Sequence, residues 1–405
     1  MALLPPRALR VLSATLTTLV VLGGGPAARM PSSIAGVPEA RPVEGDPFPA
    51  QIASIDAKWQ IALDAGGKQR TLPAADIYSW GGCIEPERGT LVILANGTAL
   101  VAELSGAGRE KLTAESALFG PLSLPLELLA GVLVHLPADP LQRDLLVDRI
   151  AAATGNSDRI VLTNRDEIAG SITMIQEGKI RVETGVGPLT VDLARVRAVI
   201  YNPALSKRKR PSGLCAWAGF SDGSRLVATA LTSDGKSLQV KLSEGLAWST
   251  AAKDLVFLQP LGGRVTYLSE LEAKYRHVPY LDLSWPYRID RNVSGGMLRA
   301  AGRLWLKGIG VHSAARLSYP LAGSYRFFQA ELAIDDETQG RGSVGFRVYV
   351  DGQLRYTSPI VRGGSTPIPI RVDVSAAKQL DLVVDFADRA DELDHADWLD
   401  ARLVR

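Results

Sequence analysis

The sequence predicts a mainly β protein, with repeated antiparallel β units and one inserted helix in its N-terminal part and a β-sandwich in its C-terminal part. Between about Ala50 and Pro260, short runs of alternating apolar and polar residues recur between glycine turns, which is the pattern of half-buried strands. One stretch after Asp139 instead has helical spacing. Beyond about residue 280 the alternating runs continue without a helical stretch, as in an antiparallel sandwich.

The length and charge of the chain indicate how many domains it has and which partners it does not attract. At 405 residues, 46% of them hydrophobic, the chain is too long for one ordinary core and has enough apolar content for two or more. Lys and Arg number 45 against 43 Asp and Glu, so no large single-sign field exists to attract nucleic acid or an acidic lipid surface. We therefore expect no nucleic-acid partner, and we interpret the basic run at residues 207–211 as a solvated loop rather than a polyanion contact.

The N-terminus has the order of a secretory signal. Basic residues Arg7 and Arg10 precede an apolar run at residues 11–22, and small residues follow it. We predict a signal peptide over residues 1–28, so that the protein is exported to the periplasm, the cell envelope or the outside and meets a membrane only through this signal. Residues 29–48 are rich in Pro, Gly and Ala and are predicted to form a flexible linker.

Residues 49–262 are predicted to be a β-repeat region. The clearest copy spans residues 167–200 and contains four alternating runs separated by glycines, which predicts a four-strand meander. Similar runs mark three further copies, at residues 50–80, 91–136 and 219–258. A unit of about 35 to 45 residues cannot bury a face alone, so we expect the copies to pair into one compact assembly.

One helix is predicted between the second and third copies. Asp139 can cap its first turn, Pro140 suits the first helical position, and the apolar residues that follow have helical spacing. A second, shorter helix is predicted over residues 267–275, within a connecting segment at 263–280. The second domain is therefore predicted to span residues 281–405.

Cys83 and Cys215 are the two cysteines of the chain. In an exported protein such a pair can form a disulfide, and two buried free thiols are an equally ordinary outcome. Their separation in sequence does not decide between the two outcomes, because a disulfide depends on distance in space. Both remain open at this point.

Four sequence blocks in the C-terminal domain are more specific than the strand pattern. They lie at residues 307–313, 335–337, 340–344 and 394–398. In order and spacing they resemble the NPCBM family, also classed as carbohydrate-binding module family 51, from about Leu281 to Arg405. The resemblance implies a jelly-roll β-sandwich that binds glycans, with galactose-containing glycans among the candidates and calcium as a candidate bound ion.

The acidic residues of these blocks are the first candidate ligand-binding side chains. Carboxylates gathered on loops can coordinate calcium or accept hydrogen bonds from sugar hydroxyls, whereas acidic residues that only cap turns are also common. With the resemblance, we predict that the ligand is bound by Asp335, Asp336, Glu337, Asp394 and Asp397. The predicted calcium ligands among them are Asp335, Asp336, Asp394 and Asp397.

Four further residues complete the predicted ligand site. His312 is either a buried histidine bonded to backbone groups, which we favour, or a direct sugar contact. Trp398 offers an indole as a platform for the apolar face of a sugar, although core packing is the more common role of such a tryptophan. Arg341 lies between two glycines, where its guanidinium can donate to hydroxyl groups. His395 lies inside the last acidic block and is included with it.

The N-terminal part does not resemble a common catalytic domain. Residues 49–280 contain neither a His-Glu-x-x-His pair nor a complete phosphate-binding loop, and their only histidines are His135 and His277. Short β units with one helix also differ from the alternating strands and helices of a barrel hydrolase. We therefore predict an exported, non-catalytic carbohydrate-binding protein. The alternatives are a structural or interaction protein of the cell envelope whose module no longer binds sugar, and a glycoside hydrolase.

Overall fold

The computed structural model describes residues 36–207, 211, 213–280, 283–321 and 323–405. The predicted signal peptide therefore lies outside the described residues. The same holds for residues 29–35 of the predicted linker and for residues 208–210 of the basic run.

The N-terminal part consists of four copies of one small β unit. The first copy contains β1 (Glu39–Pro42), β2 (Phe48–Pro49), β3 (Gln51–Ile55), β4 (Gln60–Ala65), β5 (Lys68–Pro73) and β6 (Ile77–Gly81). The second contains β7 (Leu91–Leu94), β8 (Ala99–Val101), β9 (Glu103–Ala107), β10 (Lys111–Ser116), β11 (Gly120–Pro125) and β12 (Leu129–Leu133). The third contains β13 (Asp158–Leu162), β14 (Glu167–Gln176), β15 (Lys179–Thr184), β16 (Gly187–Asp192) and β17 (Val196–Ile200). The fourth contains β18 (Cys215–Phe220), β19 (Arg225–Ser233), β20 (Ser237–Leu242), β21 (Ala247–Ala251) and β22 (Leu255–Leu261).

All four copies close in the same way. The first strand of each copy pairs antiparallel with its last strand, as β1–β6, β7–β12, β13–β17 and β18–β22. A 3-10 turn precedes each last strand, at Ala74–Asp76, Leu126–Leu128, Leu193–Arg195 and Ala252–Asp254. The last strands then pair between copies, β12 with β17 and β22 with β6. The predicted repeated antiparallel units are confirmed, and they form one assembly with a shared apolar core.

The predicted linker at 29–48 needs a correction, because the first copy begins inside it. β1 pairs with β6, and Ala40 in β1 is fully buried. Val43, which follows the strand, is buried as well. The Pro and Ala content of this segment predicts a loop, but pairing with β6 and burial against the core override local preference.

The predicted inserted helix is confirmed as α1 (Pro140–Ala151). Asp139 caps it by accepting a hydrogen bond from the backbone N–H of Leu141 at 3.1 Å, and Pro140 occupies the first turn. Ile150 on α1 is buried in a cluster with strands of the second and third copies. Of the residues that the structure describes, none forms a helix with the length and hydropathy needed to cross a bilayer.

The C-terminal part is an antiparallel β-sandwich, as predicted. Its strands are β23 (Val265–Tyr267), β24 (Lys274–His277), β25 (Arg288–Ile289), β26 (Leu298–Ala300), β27 (Arg303–Trp305), β28 (Gly308–His312), β29 (Ala315–Pro320), β30 (Phe327–Ile334), β31 (Ser343–Val350), β32 (Gln353–Thr357), β33 (Val361–Arg362), β34 (Ile368–Asp373), β35 (Gln379–Phe386) and β36 (His395–Val404). One sheet has the order β25-β28-β36-β30-β34, with β23 also on β36. The other has the order β24-β29-β35-β31-β32, with β33 on β31. Their facing side chains form a second core.

The sandwich begins earlier than the predicted start at residue 281. β23 pairs with β36, and β24 pairs with β29, so both strands belong to its two sheets. The predicted helix over residues 267–275 is wrong, since only a single 3-10 turn forms there, at Leu268–Glu270. The apolar spacing of Tyr267, Leu271 and Tyr275 fits one helical face, but the same residues instead line two strands joined by a bend.

The two parts of the chain pack into one compact unit, Gly36–Arg405. Arg299 of the hairpin β26–β27 donates to Asp144 of α1 at 2.7 Å, and Arg291 donates to Asp148 of α1 at 2.7 Å. The apolar part of this interface is a cluster of Cys83, Phe257, Met297, Leu304 and Leu306. Without the repeat region, the sandwich would expose Met297, Leu304 and Leu306, so residues 36–405 are the unit for experiments.

The two cysteines are free and buried. Cys83 lies in the interface cluster beside Leu304, and burial raises its pKa to about 11. The sequence leaves open a disulfide or two buried free thiols, and the structure contains two buried free thiols. A thiol with so high a pKa is poorly reactive, because the thiolate is the nucleophile.

Candidate functional site

The loops at one end of the sandwich bring most of the predicted site residues near one another. His277 ends β24, His312 ends β28, and His395 begins β36. β36 pairs with β28 at His395 and with β30 at Ile334, so the loop after β30 lies at the same end. We call this end the loop edge, formed by residues 278–280, 313–314, 335–342 and 387–394.

Three histidines and a tryptophan pack together at the loop edge. The indole of Trp285 stacks on the imidazole of His312, with ring centroids 4.9 Å apart and ring planes 7° apart. The His312 ring also lies 5.6 Å from the His395 ring and 6.2 Å from the His277 ring. His312 and His395 are buried, whereas Trp285 is half-buried. We call these four residues, together with Glu337, the histidine cluster.

The backbone carbonyl of Ser313 determines where two of the imidazoles carry their protons. It lies 2.8 Å from Nδ1 of His312 and 3.0 Å from Nε2 of His277. A carbonyl oxygen only accepts, so both of these nitrogens must donate. The other nitrogen of His277 then accepts, which agrees with the backbone N–H of Trp285 donating to Nδ1 of His277 at 3.3 Å. His312 is thereby left with an accepting Nε2.

Glu337 gives the third imidazole its orientation. Nδ1 of His395 lies 2.6 Å from Oε1 of Glu337 and donates to it, because a carboxylate only accepts. Ser294 donates to the same oxygen at 2.9 Å. Neutral His395 therefore also has its proton on Nδ1 and a lone pair on Nε2.

The free polar atoms of the cluster are suited to a ligand with hydroxyl groups. Among the described residues, no hydrogen-bond partner lies on Nε2 of His312 or on Nε2 of His395. Burial lowers the pKa of His312, so its imidazole is neutral at neutral pH and its Nε2 can accept from a hydroxyl. The half-buried indole of Trp285 lies beside these nitrogens and supplies an apolar surface.

Asp394 holds the loops of the site in place. Its carboxylate accepts from the hydroxyl of Ser313 at 2.6 Å and from the backbone N–H of Ser343 at 3.0 Å. Burial raises the pKa of Asp394 to about 6, although these two donors oppose the shift. Because Ser313 also accepts from two histidines, Asp394 supports the tautomers of His277 and His312 indirectly.

The carboxylates of Asp335 and Asp336 accept hydrogen bonds from backbone N–H groups and do not point together into solvent. Asp335 is fully buried and accepts from the backbone N–H groups of Glu337 and Arg299, both at 2.9 Å. Asp336 accepts from the N–H groups of Ala301 and Gly302 in the turn of the hairpin β26–β27, at 3.1 and 2.8 Å. These carboxylates connect the loop after β30 to that hairpin. Of the two roles considered for acidic loop residues, Asp335 and Asp336 therefore have the capping of turns.

Asp397 is a buried carboxyl group without a donor. It lies inside β36 with no exposed surface. No N–H or hydroxyl group of the described residues donates to either of its oxygens, and its hydrogen-bonding neighbour is the carboxyl group of Asp335. Burial and the neighbouring charge of Asp335 raise its pKa well above the usual range. Burial also raises the pKa of Asp335, to about 6. Two facing carboxyl groups with so little solvation need a shared proton or a bound cation.

The predicted calcium ligands are brought together only in part. Asp335 and Asp397 face each other, whereas Asp336 binds the hairpin turn and Asp394 binds Ser313 and Ser343. Within the described ranges, no group of three or more His, Cys, Asp or Glu residues is arranged to hold a metal ion. Carboxylate oxygens are the donors that a hard cation prefers, and of the four predicted residues only Asp335 and Asp397 lie together. The full predicted set of four does not fit a single ion.

Arg341 and Trp398, both predicted to contact the ligand, differ in exposure. Arg341 is exposed at the loop edge, and its side chain makes one long hydrogen bond, from Nε to the carbonyl of Thr338 at 3.4 Å. Trp398 is fully buried between the sheets, where its ring packs edge-on against Phe346 at 4.9 Å. The assignment of Trp398 as a ligand contact is therefore corrected to a core residue, because a buried indole has no face left for a sugar.

The sequence interpretation did not include Trp285, His277 or Ser294 in the site. Trp285 and His277 lie before the first of the matching sequence blocks, and the sequence predicts only a connecting segment at His277. The available signal was the tryptophan in Ser284-Trp285-Pro286, an aromatic residue beside a proline in a turn. Its contact with His312 depends on the loop returning to His277, which no local pattern indicates.

The repeat region has two features relevant to an enzyme. A groove of about 650 Å³ lies between the second and third copies, with Glu103, His135 and Asp192 in its lining. Residues 219–223 read Gly-Phe-Ser-Asp-Gly, which matches the short Gly-x-Ser-x-Gly pattern of nucleophilic serines. Ser221 lies in the hairpin turn between β18 and β19, however, and its hydroxyl donates to Asp254 at 3.2 Å. The strand-to-helix turn and histidine partner of that motif are therefore not found at Ser221.

A comparison with known families decides the nature of the sandwich. Residues 264–404 match the family described as the NPCBM/NEW2 domain. This part of the chain is an NPCBM domain. The match starts at the same place as β23, before the predicted start at residue 281. The NPCBM domain thus includes β24 and Trp285, and the whole histidine cluster lies within it.

Two curated relatives match part of this chain. A Renibacterium salmoninarum protein named for endo-alpha-N-acetylgalactosaminidase activity is 32% identical over 110 residues, which are 27% of this chain and 7% of the relative. Alpha-1,3-galactosidase B of Akkermansia muciniphila is 32% identical over 117 residues, which are 28% of this chain and 15% of the relative. The chain therefore spans a small fraction of the length of both relatives.

Solved structures of similar modules are also known. The CBM51 module of Clostridium perfringens GH95, solved in complex with methyl-galactose, is 27% identical to the chain. That comparison covers 35% of this chain and 99% of the module, with a TM-score of 0.32. The CBM51-2 and INT domains of Clostridium perfringens ZmpB are 30% identical, covering 42% of this chain and 36% of that one, also with a TM-score of 0.32.

Proposed function

We propose that this protein is an exported glycan-binding protein and that the histidine cluster of its NPCBM domain holds a sugar residue. The observation that carries the proposal is the stack of Trp285 on His312 beside His395 and Glu337. A sugar ring has an apolar face and a rim of hydroxyl groups, so it needs an aromatic surface and hydrogen-bonding groups in one place. The cluster offers both at the loop edge.

The hydrogen-bonding roles can be assigned from the tautomers. Nε2 of His312 and Nε2 of His395 would accept from sugar hydroxyls, because Nδ1 of each ring donates within the protein. The second oxygen of Glu337 is a further acceptor, and Arg341, exposed on the same edge, is a donor. A hydroxyl can both donate and accept, so one sugar can satisfy this mixture of groups.

Galactose-type residues are the proposed sugar class. Both curated relatives are named for acting on galactose or N-acetylgalactosamine linkages, although the matched segment is a small part of each. These two sugars share an axial hydroxyl on carbon 4. That hydroxyl leaves one face of the ring apolar and able to pack on an indole such as that of Trp285.

We also propose that the described part of the chain acts by binding rather than by catalysis. One support is that the hydroxyl of Ser221 donates a hydrogen bond to Asp254 in a hairpin turn. The other is that the histidine cluster resembles a recognition site more than a catalytic acid–base pair. Glu337 is held by His395 and Ser294. Export through the predicted signal at residues 1–28 is part of the same proposal.

Calcium belongs to the proposal as a structural ion. Its support is the buried carboxylate of Asp397, which has no donor and faces Asp335. A divalent cation held by these two residues would lie behind the loop after β30. Asp335 already binds the backbone of Glu337, so an ion at this position would steady a residue of the histidine cluster.

A glycan array tests the proposed function. We expect residues 36–405 to bind galactose-ended or N-acetylgalactosamine-ended glycans selectively. Glu337→Gln should weaken this binding about tenfold, since it removes a charged partner of His395 and an acceptor for the ligand. The matched control is Glu272→Gln, because Glu272 is exposed at the far end of β24; it should bind like the wild type.

Two results would count against this function. A folded wild-type protein that binds no glycan on the array would favour the structural or interaction role at the cell envelope. Equal binding by Glu337→Gln and the wild type would place the sugar away from the histidine cluster.

A further inference from the structure

We propose that the loop edge carries a second sugar subsite, formed by Tyr280 and Phe386, which holds the residue next to the one in the histidine cluster. This inference rests on the proposed function and goes beyond it by naming an oligosaccharide, rather than a single sugar, as the ligand. We call Tyr280 and Phe386 the aromatic pair.

The aromatic pair is exposed although it is large and apolar. Tyr280 has 55% of its surface exposed, and Phe386 has 43%. Their ring centroids lie 6.1 Å apart and their planes meet at 72°, so together they form a corner with a ring face on each side. Exposed aromatic groups gathered in one place often mark a binding surface.

The aromatic pair is joined to the histidine cluster through His277. Nε2 of His277 donates to the carbonyl of Ser313, and the next residue, Val278, donates from its backbone N–H to the carbonyl of Ala314 at 3.0 Å. Trp285 returns to His277 by donating to its Nδ1. Tyr280 lies three residues after His277, and Trp285 contacts His277 directly, so both aromatic side chains lie near the end of β24.

Phe386 is held at the same edge by β35, a strand of the sheet that also contains β24. It ends β35, and the backbone N–H of the following Ala387 donates to the carbonyl of Ser343 at 3.1 Å. Ser343 in turn donates to Asp394, which accepts from Ser313. A chain of hydrogen bonds therefore connects the residue after Phe386 to Ser313, whose carbonyl contacts His277 and His312.

The surroundings of the aromatic pair favour a sugar as its occupant. Val278, two residues before Tyr280, and Leu283, three residues after it, are also exposed, with 54% and 64% of their surfaces accessible. Asp388, two residues after Phe386, forms an exposed ion pair with Arg362. The charged groups of this pair can form hydrogen bonds with hydroxyl groups. An apolar corner with a polar border and a direct connection to the first subsite fits the next pyranose of one glycan.

A comparison of two probes tests the second subsite. Methyl α-galactoside fills only one subsite, whereas the disaccharide galactose-α-1,3-galactose can reach both. In titration calorimetry with residues 36–405, Tyr280→Ala and Phe386→Ala should each weaken disaccharide binding about fivefold and leave methyl α-galactoside binding unchanged. Tyr325→Ala, which alters a half-buried aromatic residue at the opposite end of β30, is the matched control and should bind both probes like the wild type.

Several results would overturn the inference. Equal loss for both probes would mean that the aromatic pair supports the first subsite, and no loss for either probe would mean that it does not contact the glycan. Loss for a galactosylated peptide but not for the disaccharide would make the polypeptide the occupant. Each of these results leaves the proposed function standing, whereas a wild-type protein that binds neither probe would overturn the proposed galactose-binding function together with the second subsite.

Discussion

Arg299 donates from Nε and Nη2 to the two carboxylate oxygens of Glu85, at 2.6 and 3.0 Å. Arg299 belongs to the hairpin β26–β27 of the NPCBM domain, and Glu85 lies between the first two copies of the repeat region. Arg143 of α1 donates to the same carboxylate. One carboxylate therefore joins three parts of the chain, and the NPCBM domain shares a specific interface with the repeats.

We expect residues 36–405 to unfold in a single transition that depends on this contact. Glu85→Ala removes the carboxylate that Arg143 and Arg299 share, in a place where their side chains are only 10% and 15% exposed, although Arg299 keeps its bond to Asp144. The loss should be about 2 kcal/mol of unfolding free energy, reduced from the cost of a fully buried pair because Glu85 is partly exposed. Urea denaturation followed by fluorescence measures it.

The matched control is Glu127→Ala, whose ion pair with Lys207 is exposed. Its effect should be below about 1 kcal/mol. Two separate transitions for the wild type, or equal effects of the two substitutions, would show that the interface does not couple the two parts.

The tautomers of the histidines are a second prediction. In long-range proton–nitrogen correlation spectra, the neutral imidazoles of His312 and His395 should have the proton on Nδ1 and that of His277 should have it on Nε2, because these atoms donate to Ser313 and Glu337. Addition of a bound glycan should shift the Nε2 signals of His312 and His395 most. Exposed His135 in the repeat region supplies the reference signal. Proton placement on Nε2 of His312 would contradict the proposed acceptor.

The third prediction concerns stability and pH. The pKa of Asp335 is raised to about 6 and that of Asp397 is raised well above the usual range, each chiefly by burial. A carboxyl group with a raised pKa binds its proton more tightly in the folded state. It therefore favours folding below its unfolded pKa and loses this contribution as pH rises through the folded value. Without divalent cations, stability should fall by at least about 2 kcal/mol between pH 4 and neutral pH, because the shift of Asp335 alone accounts for that much and the shift of Asp397 adds to it.

Asp397→Asn isolates the contribution of the pair. An amide stays neutral and can donate to Asp335, so the variant should be more stable than the wild type at neutral pH in a chelator. Taking the difference between the two proteins removes the effects of Asp394, Asp400 and His312, whose pKa values are also shifted. A wild type and variant with the same pH dependence would show that Asp335 and Asp397 do not titrate as a coupled pair.

Calcium is the subject of the fourth prediction. If a cation compensates Asp397, calcium at a hundred times its dissociation constant should stabilise the wild type by about 2.7 kcal/mol. A chelator should remove the effect, and Asp397→Asn should not show it. Thermal unfolding with calcium, magnesium and chelator measures this. A wild type whose midpoint is the same in all three would leave a shared proton as the state of the pair.

Much of the fold could be predicted because its signals are local. Alternation and glycine turns indicate the repeats, and Asp139-Pro140 indicates the start of α1. β1 was missed because its Pro and Ala content predicts a loop, while its pairing with β6 comes from a strand more than thirty residues away. The strand β24 was missed for a similar reason, since only its pairing with β29 distinguishes it from a helical turn.

The residues of the candidate site also divide into those that the sequence predicts and those that depend on contacts between distant segments. Glu337, His395 and His312 lie in blocks that resemble a family, so the sequence alone predicts them as site residues. The role of Asp336 could not be predicted, because it binds a hairpin turn whose residues, Ala301 and Gly302, are distant in sequence. Trp285 was missed because its contact with His312 depends on a loop that closes on His277.

The most direct test of the central claim is calorimetric titration of a galactose-ended glycan into wild-type residues 36–405 and into Trp285→Ala. The histidine cluster predicts saturable binding by the wild type and binding at least about tenfold weaker in Trp285→Ala, because the variant loses the aromatic surface over His312. Tyr325→Ala should match the wild type. Equal affinity in Trp285→Ala and the wild type, with both proteins folded, would contradict a sugar site at the histidine cluster.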